Sequence, residues 1–366
     1  SKWAALSLKS RSMLYAASVA NFGTEQLDGL LGINNSDANY YYLESLNASR
    51  EIIRSGIFSL YRKDPDPVKN FGDLFIDESN NSEVIFAEKY DYDEGKSHQW
   101  DALAQPSGFG FNWSSNYTVY LETLEQFDFT DGSSGMLDRS IYDDATEIDP
   151  NWFFEMRDPR MRASIFYPGS SFKGGTVHFH RSTSGIMAGW PKTGPSKHIG
   201  SMATGLLIRK RTNPETPDAT RSSTDFIIFR LGEIILNYVE AAYYLGDPNG
   251  DMLANMNNLR ERAGMPSLSL SQLDEDKIRQ ERRCELAFEE HNFWDLRRWR
   301  IAVQELDNKQ RHRLHYRYNA NTKKYTIEMA EGDLGGVRLH PPRNYYYALG
   351  LSRLADNPKL IENPGY

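Results

Sequence analysis

The stretch from residue 281 to 299 constrains the fold of this chain more than any other, because it mixes ionised and large apolar side chains. It reads Glu-Arg-Arg-Cys-Glu-Leu-Ala-Phe-Glu-Glu-His-Asn-Phe-Trp-Asp-Leu-Arg-Arg-Trp. A fully solvated charged segment would not carry so many rings and branched side chains, since these gain free energy by leaving water. Charges that border a core persist when they are paired, and the planar guanidinium of Arg suits bidentate contact with Glu or Asp. The run therefore predicts a structural ion network rather than a catalytic site.

Apolar residues recur at helical spacing on both sides of a turn in the second half of the chain. Between Arg230 and Leu245 they lie three and four positions apart, which predicts a helix with one buried face. Turn residues at 246–250 interrupt this period, which resumes at Met252 and stops at Gly264. The pattern predicts a helical hairpin close to the length of a tetratricopeptide unit, about 34 residues, which needs neighbouring helices to cover its apolar face.

Two segments near the start of the chain are candidates for those neighbours. Residues 3–20 are rich in Ala, Leu and Met, and residues 39–53 place Tyr42 and Leu46 near helical spacing. We therefore expect further helices there, packed closely through small residues. Residues 65–223 differ, because helical periodicity fades and aromatic, Gly and polar residues mix. In that region we expect long loops with short strands.

A basic and aromatic run at 311–318 is compatible with two structures. In isolation it resembles a segment that contacts nucleic acid through charge and stacking. Apolar and polar residues alternate in it, however, and a polar turn at 319–322 leads to a second alternating run at 323–327, which favours a β-hairpin. The formal net charge of −8 argues against nucleic acid as a ligand. We therefore expect the hairpin.

The sequence lacks the common motifs of catalysis. It has neither a Gly-x-Ser-x-Gly elbow nor a His-Glu-x-x-His pair, and its only cysteine, Cys284, allows no intrachain disulfide and no thiolate metal cluster. An Asp-x-Asp-Glu run at 91–94 and a His-x-His pair at 178–180 have metal-like spacing, but neither carries a full ligand set. We expect no enzymatic activity, no cofactor and no bound metal, and interpret Cys284 as a packed thiol.

Four segments carry a resemblance to a known family. The run 281–299 is similar to a Glu-Arg-Arg-x-Glu-Leu-Ala-Phe-Glu helix and the His-Arg-Phe-Trp-Asp-Leu-Arg-Arg-Trp segment that follows it in the SusD/RagB-like family, with Asn292 in place of Arg. Residues 230–241 resemble the family's Arg-x-x-Glu-x-x-Leu-x-Tyr-Ala-Glu-Ala helix, and residues 257–264 its Asn-x-x-Arg-x-Arg-Ala-Gly segment. The final residues, 357–366, resemble its Asn-Pro-x-Leu-x-Gln-Asn-Pro-Gly-Tyr terminus, with Glu in place of Gln.

The resemblance implies a mainly α fold with a tetratricopeptide-like helical-repeat scaffold, long irregular loops and a few short β-hairpins. We expect a single SusD-like domain over 1–366, with helical repeats at 1–60, a loop-rich ligand-facing region at 61–225, a helical repeat pair and the ion-network helices at 226–300, and a β-hairpin and C-terminal tail at 301–366. Because the sequence starts in mid-repeat without a lipid-accepting cysteine, we expect the natural N-terminal segment to be absent from this chain.

Members of this family are nutrient-capturing lipoproteins of the bacterial outer membrane. The resemblance implies that this protein binds an oligo- or polysaccharide and delivers it to a SusC-like TonB-dependent transporter. It also implies a cell-surface location at the outer membrane, with membrane contact only through a lipid anchor that this chain lacks. Two alternatives stay open: capture of peptide by the same architecture, and a helical-repeat scaffold that binds another protein. Nucleic acid is not an expected partner.

Aromatic residues of the loop-rich region are the candidates for a glycan site. A sugar ring presents an apolar C–H face and a rim of hydroxyls, so its site needs a flat aromatic platform flanked by polar groups. Loops with small residues can present such a ring without burying it. The candidate ligand-binding residues are Trp100, Phe111, Asn112, Trp113, Tyr117 and Trp190. We expect further exposed rings at Phe109, Phe172 and Phe179.

Overall fold

The computed structural model describes residues 1–109, 116–182, 204–333 and 336–366. Its helices are α1 (Lys2–Phe22), α2 (Ala38–Arg54), α3 (Pro67–Asp73), α4 (Trp100–Ala104), α5 (Leu121–Leu124), α6 (Pro159–Ser164), α7 (Leu231–Tyr244), α8 (Met252–Arg262), α9 (Glu275–Glu285), α10 (His291–Arg298), α11 (Ala302–Leu306) and α12 (Leu351–Asp356). Its strands are β1 (Val84–Glu88), β2 (Asp143–Ile148), β3 (Ile165–Phe166), β4 (Ser171–Phe172), β5 (Gly175–Thr176), β6 (His180–Ser182), β7 (Leu207–Ile208), β8 (Phe226–Arg230), β9 (His312–Asn319) and β10 (Lys324–Glu331). A π-helical turn covers Asn151–Glu155. The predicted mainly α fold with a few short strands is confirmed.

Helices α1, α2, α7 and α8 pack side by side around one hydrophobic core. α1 lies against α2, α2 against α7, and α7 against α8. Their inward faces bury Leu14, Leu46 and Ile234, which recur at helical spacing with other apolar residues of the same faces. Ser10 and Ser49 share a buried hydroxyl hydrogen bond of 2.8 Å between α1 and α2. The four helices predicted from the sequence are confirmed.

A second core lies in the loop-rich part of the chain and packs on a four-stranded sheet. The strand order is β2-β10-β9-β6, with β10 antiparallel to β9 and β6 parallel to β9. Tyr325 pairs with Tyr318 across the β9–β10 ladder, so the hairpin predicted from the two alternating runs is confirmed. Leu314, Tyr316 and Ile327 are buried in this core together with the rings of the π-helical turn.

Three rings that we expect to be exposed belong to this second core instead. Phe109, Phe172 and Phe179 are 8%, 5% and 2% exposed. Phe172 meets Phe109 and Phe166 edge to face, with ring centroids 5.4 and 5.0 Å away. The expectation of exposure is wrong because a segment with little regular structure must still bury apolar area, and here it does so by packing its rings on one another.

The charged run forms a buried ion network that links the two cores, as predicted. Glu285 of α9 lies at its centre, 2.7 Å from Arg230 of β8 and 3.0 Å from Arg160 of α6, and it also contacts Arg262 of α8. Burial raises the pKa of Glu285, but attraction to Arg262, Arg230 and Arg160 outweighs burial and holds that pKa well below its usual range. The network therefore ties helices of the repeat layer to the loop-rich part.

A break in the helix separates two parts of this network. α9 ends at Glu285, and Phe288 and Glu290 adopt left-handed conformations (φ 62° and 68°) before α10 begins. Across the break Arg282 and Arg298 each contact a carboxylate oxygen of Asp295 at 2.8 Å. Cys284 is a buried thiol, as interpreted from the sequence.

Candidate functional site

Two of the six candidate ligand-binding residues meet as a stacked pair. The rings of Trp100 and Tyr117 lie with centroids 4.9 Å apart and planes 25° from parallel, and both side chains are half-buried. We call this pair the aromatic stack. Phe111, Asn112, Trp113 and Trp190 lie outside the described residues. A ligand-binding role for all six stays a prediction.

Neighbouring segments fix the position of Trp100. Its indole Nε1–H donates to the backbone carbonyl of Lys210 at 3.2 Å. The next residue, Asp101, is buried and accepts hydrogen bonds from Ser222 Oγ at 2.7 Å and Thr216 Oγ1 at 2.8 Å. A buried carboxylate satisfied in this way holds a helix of one turn that has few hydrogen bonds of its own. The aromatic stack is therefore built on a rigid support.

Residues 209–212 connect the aromatic stack to the ion network. The Lys210 ammonium is buried, donates to two backbone carbonyls at the end of α9 at 3.0 and 2.9 Å, and lies 2.6 Å from Glu289 Oε1. Burial lowers the pKa of Lys210 to about 8, although attraction to Glu289 opposes the shift. Arg211 follows in a left-handed conformation (φ 66°), and its guanidinium carbon lies 4.1 Å from the centroid of the Trp100 ring.

Arg211 also lines a cleft of about 690 Å³, which we call the arginine cleft. Helix α3, the segment from the π-helical turn to β3, the β4–β5 turn and residues 209–215 form its walls. Its volume lies within the range of roughly 300–1,000 Å³ that is common for small-molecule sites. Its lining contains the cations Lys69, Arg162, Lys173, Arg209 and Arg211, the carboxylates Asp66, Asp73, Glu155 and Glu215, and the hydroxyl of Thr212. Because Arg211 touches both features, the aromatic stack and the arginine cleft are adjacent.

Two aromatic rings of α10 are exposed, which the sequence analysis did not predict. Phe293 and Trp294 are 44% and 48% exposed, although their place in the charged run suggests that they border the core. Trp294 lines a smaller cleft of about 320 Å³ together with Arg11 and Glu290. The helical period is the signal that finds them, because the buried positions of α10 leave residues 292–294 on the opposite face.

The clusters with metal-like spacing lie at 91–94 and 178–180. Among the described residues, no group of three or more His, Cys, Asp or Glu side chains is placed to hold a metal ion. The Asp91 carboxylate instead accepts the backbone N–H of Asp93 at 2.9 Å and closes a turn. His178 precedes strand β6, which covers His180–Ser182.

A helix that crosses a membrane must be both long and apolar along its length. Within the part of the chain that the structure describes, no helix meets both requirements.

A sequence model of the SusD family matches residues 82–366. This chain belongs to the SusD family. The match contains the ion-network helices, the β9–β10 hairpin, the aromatic stack and the walls of the arginine cleft other than helix α3 and the residues beside it. No curated protein matches the sequence.

Solved structures agree with this SusD-family assignment. A SusD-like protein from Bacteroides fragilis superposes with a TM-score of 0.73 at 24% identity, covering 100% of this chain and 65% of that protein. A SusD-like carbohydrate-binding protein from Bacteroides fragilis gives 0.64 at 19% identity (92% and 66%), and a structure with xylogluco-oligosaccharide gives 0.57 at 19% (97% and 65%). This chain therefore spans slightly less than two thirds of each of these proteins, and the likeness shows a shared fold.

Proposed function

We propose that this SusD-family protein captures an oligo- or polysaccharide at the cell surface and delivers it to a SusC-like TonB-dependent transporter. The family match over residues 82–366 carries the proposal. The resemblance of the sequence to the same family implies a lipid-anchored protein of the outer membrane, and we adopt that location as part of the proposal. Capture is binding without a chemical step, so we assign no catalytic residue.

The structural neighbours support the ligand class. One is described as carbohydrate-binding, and another is a structure with xylogluco-oligosaccharide. We extend glycan binding from those proteins to this chain. We extend neither the identity of the glycan nor the residues of the site.

We assign the glycan site to the aromatic stack and the arginine cleft beside it. The stack supplies a flat apolar surface for the C–H face of a sugar, and both of its rings, Trp100 and Tyr117, are half-buried. The cleft supplies donors and acceptors for sugar hydroxyls, including Lys173 and Glu215. Phe111, Asn112, Trp113 and Trp190 complete the proposed set, since they belong to the two loops that the sequence singles out.

Calorimetric titration tests the ligand class. The protein is titrated with plant, host and microbial polysaccharides, and with mixed peptides as a parallel set. Heat with one class of glycan is the expected result. Heat with peptides alone would replace the proposal by peptide capture, and heat with neither set would favour a protein-binding scaffold.

Delivery needs a separate test, because ligand binding does not report on the partner. We expect tagged protein, extracted from outer membranes with mild detergent, to retain a TonB-dependent transporter. Recovery of the protein without any such transporter, at detergent concentrations that keep other outer-membrane complexes intact, would contradict the delivery step.

A further inference from the structure

Buried arginines in the ion network follow one rule, which is that each meets a carboxylate. Arg160 lies 2.6 Å from Glu281, and Arg230 lies 2.8 Å from Glu83. Arg298 lies 2.8 Å from Asp295. This is the expected arrangement, because removing a guanidinium from water costs free energy that a close carboxylate offsets. Backbone carbonyls can take the place of the carboxylate, as those of Phe153, Phe127 and Gly135 do for the buried Arg157. An arginine that departs from the rule and has neither kind of partner therefore needs a reason.

Arg209 and Arg211, which both line the arginine cleft, depart from it. Among the described residues, no carboxylate oxygen lies within 4.0 Å of either guanidinium, and neither group has a hydrogen-bond acceptor. Arg209 lies over the ring of Phe166 at 5.4 Å, and Arg211 lies over Trp100. The nearby Glu155 is already occupied, since it accepts from Arg162 at 2.9 Å and from the Tyr167 hydroxyl.

The rest of the chain cannot supply the missing carboxylate either. The ranges outside the described residues, 110–115, 183–203 and 334–335, contain no Asp and no Glu. Wherever those residues lie, they bring no negative side chain to the cleft. Within this chain, which spans about two thirds of its solved relatives, the counter-charge for Arg209 and Arg211 is left to water and salt or to a ligand.

Water solvates the two guanidinium groups poorly, because both are partly buried. Burial lowers the pKa of Arg209 and that of Arg211; weaker attraction to Tyr167 and Glu155 opposes the shift at Arg209, and attraction to Glu290 and Asp101 opposes it at Arg211. Burial acts on Arg160 and Arg230 as well, but their carboxylates reverse the effect and raise those pKa values well above the usual one. The cleft thus holds two partly desolvated cations whose charge the protein leaves uncompensated.

Other donors of the same cleft are also unpartnered. Arg162 Nε, Arg211 Nε and the hydroxyl of Thr212 are buried without a hydrogen-bond partner, and Thr212 is only 6% exposed. The carboxylates Asp66, Asp73, Glu155 and Glu215 also line the cleft, so it is this local group of unpartnered donors that suits a ligand rich in acceptors. Carboxylate and sulfate oxygens accept from a guanidinium in a bidentate manner, at about twice the strength of a neutral hydrogen bond.

We propose that the ligand of the arginine cleft is an acidic glycan, whose uronate carboxylate or sulfate ester binds Arg209 and Arg211 while an adjoining sugar ring packs on the aromatic stack. This inference rests on the proposed glycan-binding function and names the substrate class of that site. The formal net charge of −8 repels a polyanion from the protein as a whole, so binding must come from this local pair of cations.

Matched ligands test the charge requirement on the unaltered protein. Calorimetric titrations compare oligogalacturonate with its methyl ester, a sulfated galactan with its desulfated form, and a neutral xyloglucan oligosaccharide. We expect one acidic member to bind at least about tenfold more tightly than its uncharged counterpart, and the difference to shrink at high salt. The responsive pair distinguishes carboxylate from sulfate.

Variants test the place of binding. Arg209→Gln and Arg211→Gln should each weaken the acidic ligand by about tenfold or more. Arg54→Gln is the matched control, because Arg54 is exposed, pairs with Asp251 at 3.8 Å and lies outside the cleft, so the affinity of this variant should equal that of the parent. Thermal unfolding of each variant reports on the fold, and the matched ligands keep the test decisive if a variant does not fold.

The outcomes separate this inference from the proposed function. Binding of neutral glycans alone, or equal affinity for charged and uncharged partners, overturns the inference and leaves glycan capture standing. Acidic binding that Arg209→Gln and Arg211→Gln do not change overturns the assignment to this cleft. Absence of binding to every glycan overturns both.

Discussion

At the scale of single residues, aromatic contact in this protein serves two purposes that the rings themselves do not distinguish. Phe172 is almost fully buried and stabilises the second core, whereas Tyr117 is half-buried and stacks on Trp100 at the margin of the loop-rich part. The difference lies in what covers each ring. Only a ring with a remaining exposed face can serve as a platform for a sugar.

We expect Tyr117→Ala to weaken glycan binding by about tenfold, because stacking of aromatic faces contributes on the order of 0.5–1.5 kcal/mol beyond simple burial. Calorimetry with the ligand identified from the panel measures the change. Trp152→Ala is the matched control, since Trp152 is 41% exposed, stacks on Phe129 and lies outside the proposed site. Parental affinity in Tyr117→Ala would remove the aromatic stack from the site.

The contribution of a charged residue to stability also depends on whether it is buried or exposed. Glu285→Gln should destabilise the protein by about 3–5 kcal/mol, because it leaves Arg160, Arg230 and Arg262 buried with one carboxylate fewer. Chemical denaturation measures this loss. Glu51→Gln, which disrupts an exposed pair with Lys2, should cost less than about 1 kcal/mol. Equal losses for the two variants would show that the network contributes no more than a surface pair.

At the scale of elements, the residue at the end of a helix can determine how closely neighbouring helices pack. Gly264 follows α8 with a φ of +74°, which L side chains rarely adopt. A Cβ atom there would lie 3.0 Å from Pro67 Cγ and 3.3 Å from Pro159 Cγ. These two prolines begin α3 and α6, so the glycine ends one helix and also allows two others to approach it.

We expect Gly264→Ala to destabilise the protein by more than the roughly 1–2 kcal/mol that the left-handed conformation alone costs. Gly250→Ala isolates that conformational part, because Gly250 has a φ of +67° and a Cβ atom there would meet no other atom within 4 Å. Urea denaturation of both variants measures the difference. Equal losses would mean that contact with the two prolines has no energetic consequence.

At the scale of the whole molecule, the ion network makes stability depend on pH. Burial raises the pKa of Glu289 and that of Asp295, but attraction to nearby cations outweighs burial and holds both pKa values at about 2. The cations are Arg230 and Lys210 for Glu289, and Arg282 and Arg298 for Asp295. Unfolded carboxyls titrate near 4. The unfolded chain therefore takes up protons first, and this stabilisation, complete above about pH 5, is lost as the pH falls toward 2.

His291 adds a loss of stability at higher pH, again because the unfolded chain takes up a proton before the folded protein does. Burial lowers its pKa from 6.5 to about 4, so the folded protein holds a neutral imidazole after the unfolded chain has become protonated. Its stabilisation is complete above about pH 7 and lost between roughly 6.5 and 4. We expect the free energy of unfolding to fall by about 2–3 kcal/mol over that window, as measured by urea denaturation.

A histidine variant separates this contribution from that of the carboxylates. His291→Asn retains an acceptor for Arg282, whose Nη2 lies 3.4 Å from His291 Nδ1, but has no proton to gain. Its stability should change little between pH 7 and 4.5 and then fall with the carboxylates. An unchanged slope in the variant would assign the loss to other groups.

Local periodicity was enough to predict the helices of the repeat layer and the β9–β10 hairpin, because each depends on neighbours in sequence. The ion network was predictable for a similar reason, since paired charges must accompany apolar residues that are buried beside them. The exposure of Phe293 and Trp294 could also have been predicted, because the helical period places both residues on the face of α10 opposite its buried positions.

The burial of Phe109, Phe172 and Phe179 was not predictable, since contacts between distant segments decide it. The aromatic stack also required the tertiary structure, because it joins α4 to an extended segment beside β7.

The amino-acid sequence alone was sufficient to predict the helical layer, the hairpin and the presence of paired buried charges, because these follow from residue spacing and from the cost of burying charge. The resemblance of four segments indicated the family. Only the tertiary structure decided which charges are paired. Arg160 and Arg209 are the same residue type in the same loop-rich part of the chain, yet Arg160 meets Glu281 and Asp158, whereas Arg209 meets no carboxylate among the described residues. Pairing depends on distances of a few ångströms between segments far apart in sequence, and no local pattern encodes those distances.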